Sequence, residues 1–178
     1  MDGSDITLAI RIDDLTLLES VFHTDAPVGE GAPLTRLSIT NPQHDFAFDE
    51  KSQRTTLQAM VNVQFGMAGI PPKEAAVLGD GADPVEFLHF GLVAGVAASV
   101  AKVGDAVASA RHMAGGESDA EAQRDRNTQH ALRLEAIKAT YALATSRLAE
   151  ASSLSPLGRV VLPPIDADAL LLELEREG

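Results

Sequence analysis

Residues 84–101 read PVEFLHFGLVAGVAASVA, and two structures can be written on them. Val85, Leu88, Leu92, Val96, Val100, Val103 and Val107 follow one another at steps of three and four, the spacing of one helical face. Asp83, Pro84 and Glu86 supply helix-start chemistry: a capping aspartate, a proline for the first turn and a glutamate completing a capping box. These local rules predict a helix from 84 to about 110. Against them stand the valines, the two phenylalanines, and Gly91 and Gly95, each of which costs a helix roughly 1 kcal/mol relative to alanine. They admit a strand over 85–97. Lys102 and Asp105 interrupt the run, so it is not read as a membrane span.

The flanking sequence is easier to read. Thr55, Leu57, Ala59, Val61, Val63 and Phe65 alternate with Thr56, Gln58, Met60, Asn62 and Gln64. That is a strand with one apolar and one uncharged polar face, as in an antiparallel sheet. Ile6, Leu8, Ile10 and Ile12 alternate in the same way, then the apolar phase moves to Leu15 and Leu17. A bulge at Asp13-Asp14 would keep both halves on one buried face. Residues 26–33 (APVGEGAP) are loop. Leu37 and Ile39 predict a short strand ended by Asn41-Pro42, while Phe46 and Phe48 are too few to assign. Most of 67–83 reads as loop.

Downstream, 114–128 is a linker or exposed helical lead-in. Leu134, Ile137, Tyr141, Ala144, Leu148 and Ala151 then mark a narrow seam on a long helix closed by Ser155-Pro156. A proline-braced extended segment leads to a final helix from Ala167 to about Arg176, capped by Asp166. The expected class is therefore α+β, an antiparallel β-sheet covered by one or two long α-helices. It is read as one domain over 1–178, with a sheet-forming part at 5–66, a helical part at 84–152 and a C-terminal segment at 156–178.

With 26 acidic against 14 basic residues the net charge is −12, and no basic stripe interrupts it. Phosphate backbones and anionic membranes are poor partners for such a surface. No cysteine is present, so thiolate metal sites, disulfides and thiol catalysis are excluded. No cationic, apolar leader is visible, and a cytoplasmic setting is expected. His23, His44, His89, His112 and His130 never fall at i, i+4, and no metal site is read from them. No G-x-S-x-G elbow occurs. Gly79-Asp80-Gly81-Ala82-Asp83 lacks the Lys-Ser/Thr ending of a phosphate cradle and reads as a turn. The expectation is a chain without catalytic residues or cofactor, and not an enzyme. Asp13 and Asp14 admit three readings: an acid/base pair, a solvated edge that discourages aggregation, or a docking patch for a basic partner.

The tail Leu162-Pro163-Pro164-Ile165-Asp166-Ala167-Asp168-Ala169-Leu170 resembles the C-terminal signature of the SecB family of export chaperones. Pro156-Leu157 is similar to the segment preceding it, Asp14-Leu15-Thr16-Leu17 to the family's first strand, and Leu57 to Val63 to its alternating strand. The resemblance implies an antiparallel sheet with a long helix, a dimer of dimers, and an ATP-independent holdase for unfolded or exported polypeptides. It also implies a strand where the local rules place the 84–110 helix. The implied partners are unfolded clients, and the SecA motor or an antitoxin. Asp14 matches a family docking position; the second such position falls on Leu18, beside Glu19. The family's Pro-Tyr-x-Arg motif is replaced by Ala144-Thr145-Ser146-Arg147. The client-groove candidates are Leu37, Ile39, Leu57, Val61, Phe87, Leu157 and Leu162; the docking candidates are Asp13, Asp14 and Glu19. Residues 84–96 are also similar to the central helix of OsmC-type peroxidases, with Val96 at the cysteine position, which would leave no thiol chemistry. The reading from another class is a non-catalytic structural or assembly subunit of a phage or secretion apparatus.

Overall fold

The computed structural model describes residues 9–29, 31–71, 83–101 and 117–177. The architecture is α+β. Among the described residues, four long strands, β1 (Ile10–Thr24), β2 (Leu34–Asp49), β3 (Arg54–Gly69) and β4 (Val85–Ala101), form one antiparallel sheet in the order β1-β4-β3-β2. Two helices follow, α1 (Glu117–Ser152) and α2 (Ala167–Glu177).

Residues 85–101 are a central strand, and the expected helix over 84–110 is corrected; positions 102–110 lie outside the described residues. The residues compared with the peroxidase helix belong to β4. The reason lies in the spacing. Leu88, Leu92, Val96 and Val100 are four apart, which suits a helical face, but four is also an even number and keeps residues on one face of a strand. The intervening even positions, Phe90, Ala94 and Ala98, are buried with them, while His89, Gly91, Val93, Gly95 and Ala97 are only partly covered. Once β3 and β1 pair on either side, the β-branched residues fit the pleat and both glycines escape their helical penalty.

Two strands change phase midway. In β1 the register slips between Ile12 and Asp14, where the acidic pair was expected to bulge, and again between Leu17 and Glu19. Ile10, Ile12, Leu15, Leu17 and Phe22 thus all pack on the core. β2 is longer than the short strand expected to end at Asn41-Pro42. It slips between Thr40 and Gln43, so that Leu37 and Ile39 share a face with His44, Phe46 and Phe48, opposite Phe65, Val63, Ala59, Leu57 and Thr55 of β3. Proline is tolerated there because β2 is an edge strand and the ladder is already broken.

Because β1 and β2 occupy opposite edges, their connection must cross the ends of β4 and β3, about 14 Å at ordinary strand spacing. Asp25 N–H donates to the Phe87 carbonyl at 2.8 Å as the chain sets out. Further on it lies so close to β3 that a Cβ on Gly69 would stand 1.6 Å from the Val28 carbonyl oxygen. Gly29, at φ +89°, makes a similar approach to Ile70.

α1 has 36 residues, about 54 Å, and the 16-residue β3 spans about 53 Å. One helix therefore runs the length of the sheet. Its buried stripe is Leu132, Ala136, Ile137, Thr140, Ala144, Leu148 and Ser152. The expected seam is rotated toward Leu132 and Ala136, leaving Leu134, Tyr141 and Ala151 half-buried. The chain reverses after α1 because the buried Ser152 hydroxyl accepts the Val160 N–H at 2.8 Å. The Tyr141 hydroxyl then donates to the Pro163 carbonyl. Asp166 caps α2 as expected, its carboxylate accepting the Ala169 N–H at 3.0 Å. Leu171 and Ala167 close the core.

Candidate functional site

α1 packs on β3, β4 and β1. The sheet is wider than one helix diameter, so β2 remains at its margin as a shelf. The shelf is the inner face of a strand that stands at the sheet edge among the described residues. Ile39 is buried there, Leu37 and Phe46 are half-buried, and Phe48 is 47% exposed. Leu34, at the start of the same strand but on its opposite face, is 50% exposed. Where β2 faces the N-terminal half of α1, the shelf deepens into a recess of roughly 400 Å3 lined by His44, Phe46, Arg126, His130, Arg133 and Glu175. The His44 ring meets Phe46 edge-on, with centroids 5.8 Å apart.

Two of the seven expected groove residues, Leu37 and Leu157, retain partial exposure. Ile39, Leu57, Val61, Phe87 and Leu162 are sealed in the core, at 0–6% exposure. The structure joins Leu37 and Ile39 on the shelf, and places Leu57 and Val61 on the adjoining covered strand, under α1. Apolar surface on offer elsewhere comes from Ile70 and Val85 at the crossover end, from Leu18 and Val21 on β1, and from Leu154, Val161 and Leu172 near the C-terminus. His44, Phe46 and Phe48 were missed because the slip at Asn41-Pro42 hides their continuity with Leu37 and Ile39. Arg126, His130 and Arg133 carry no signal in sequence, since what unites them with β2 is tertiary.

The three acidic candidates lie together on β1 but differ in state. Asp13 is engaged: Ser99 hydrogen-bonds its carboxyl and holds it below the usual carboxylate range, with Arg11 and Arg54 contributing. Arg54 in turn donates to Ser99 Oγ at 3.0 Å, so the group ties β1, β4 and β3 together. Among the described residues Asp14 accepts the nearby Thr16 hydroxyl, at 2.8 Å, and Glu19 is exposed. Both remain on the solvent side. The described residues show no helix long and apolar enough to cross a membrane.

No protein-family model matches the chain, and no curated protein matches it in sequence. Among solved structures, it is similar to the SecB-like chaperone Rv1957 of Mycobacterium tuberculosis in complex with a ChAD peptide from the antitoxin HigA1. The TM-score is 0.43 and the identity 9%, over 88% of this chain and 91% of that one. A protein of unknown function from Streptococcus agalactiae aligns with TM-score 0.35 and 11% identity, over 89% of this chain and 99% of the other. At these scores neither likeness bears on function.

Proposed function

We propose that the chain is an ATP-independent holdase that binds extended, unfolded or exported polypeptides in the cytoplasm. One observation carries the reading: the β2 shelf combines an edge that no other strand covers among the described residues with half-open apolar side chains, Leu37 and Phe46. An extended client satisfies its own backbone by adding to such an edge, and its alternate side chains meet the apolar ones. No catalytic group is needed for this. The β1 edge, which no other strand covers among the described residues, suits assembly into a dimer of dimers, and Asp14 and Glu19 are side chains that would meet a handoff partner, whether a SecA-type motor or an antitoxin. Light scattering of a chemically denatured client diluted into buffer tests the reading. Excess protein is expected to suppress aggregation without nucleotide; an unchanged scattering curve would refute it.

A further inference from the structure

The recess at the deep end of the shelf is electrically opposite to the rest of the molecule. The chain carries a net −12, yet two guanidinium groups and two imidazoles line this recess with a single carboxylate. That carboxylate is already shared. Arg133 Nη1 donates to Glu175 Oε1 at 3.0 Å, and His130 Nδ1 lies 3.3 Å from the same oxygen. Arg133 is mostly buried, its side chain 12% exposed, and its Nε has no hydrogen-bond partner. Glu175 balances the Arg133 charge, and the unpartnered Nε leaves one buried N–H donor unsatisfied. Among the described residues Arg126 bonds only the neutral Gln123 amide oxygen, at 2.8 Å. Its charge is therefore available at the mouth of the recess.

We infer that this recess binds an acidic side chain of the client, so that the chain selects extended segments in which an aspartate or glutamate alternates with apolar residues. The inference rests on the holdase reading above. Geometry sets the pattern. A segment added along β2 turns every second side chain toward the shelf, about 7 Å apart. One such side chain reaches Arg126 and His130 while those two positions away meet Phe46 and the apolar shelf beyond it. Long-range repulsion from the acidic surface works against any acidic client. Preference for acid therefore has to be local, and Arg126 is the group placed to supply it.

The test compares two short labelled peptides of alternating leucine and serine, one with a central glutamate and one with glutamine there, by fluorescence anisotropy at low salt. The glutamate peptide is expected to bind about fivefold more tightly, the scale of one charge-assisted contact at a half-open site. Arg126→Gln is expected to erase that difference, and Arg126→Glu to turn the preference toward a lysine version of the peptide. Equal binding of the two peptides overturns this inference and leaves the holdase reading standing. Binding of neither overturns both. A glutamate preference that survives Arg126→Gln overturns the assignment to this recess.

Discussion

Asp13 shows how one acidic residue can be structural where its neighbour is not. Its carboxyl is held below the normal range by the Ser99 hydrogen bond and by Arg11 and Arg54. A depressed folded-state value contributes stability above the unfolded value, near 3.8, and that contribution is lost as pH falls through the folded value. Asp13→Asn should therefore lower stability at neutral pH and flatten its decline below about pH 4. Urea unfolding across that range measures both effects; a decline as steep as in the parent protein would show that Asp13 is a bystander. Gly69 is the second decisive residue. A methyl group there meets the Val28 backbone oxygen, not a movable side chain. Gly69→Ala should cost about 2 kcal/mol or more in thermal or urea unfolding, because the crossover must lift away from β3.

Elements were legible where their period is unambiguous. The strict alternation of Thr55–Phe65 gave β3, and the Asp166 cap and proline brace gave α2. The phase change at Asp13-Asp14 gave the first β1 bulge, because a polar pair between two alternating runs has few other uses. β4 was misread because spacings of four satisfy both periods, and only pairing on both sides settles the choice. The second half of β2 stayed hidden behind Asn41-Pro42 for the opposite reason: a real break in alternation that the sheet absorbs. On α1 the six-residue seam named from sequence is turned relative to the buried stripe, since the sheet also covers Leu132 and Ala136. The consequence is measurable. Leu132→Ala should cost about 3 kcal/mol and Leu134→Ala about 1 kcal/mol, as full and partial burial demand. Equal losses in urea unfolding would contradict the orientation of α1.

At the scale of the molecule, one face of the sheet formed by β1 to β4 is covered by a helix as long as the sheet but narrower than it. That mismatch creates the shelf, and both of its functional properties follow. Its open edge comes from the strand order, and its apolar floor from the phase slip in β2. Of the candidate groove residues, Leu37 and Leu157 keep partial exposure, while Ile39, Leu57, Val61, Phe87 and Leu162 are core positions that could not be separated from accessible ones without knowing where α1 and the C-terminal segment lie. If clients occupy the shelf, Leu37→Asn with Phe46→Ser should weaken aggregation suppression several-fold while the helical circular dichroism signal is kept. A permanently partnered assembly subunit would instead show little binding of an apolar dye in its final assembly. The most direct measurement is backbone hydrogen exchange with and without a saturating unfolded client. The account predicts that exchange over residues 34–49 slows when client is present. Protection confined to other strands, with 34–49 exchanging as in the free protein, would contradict it.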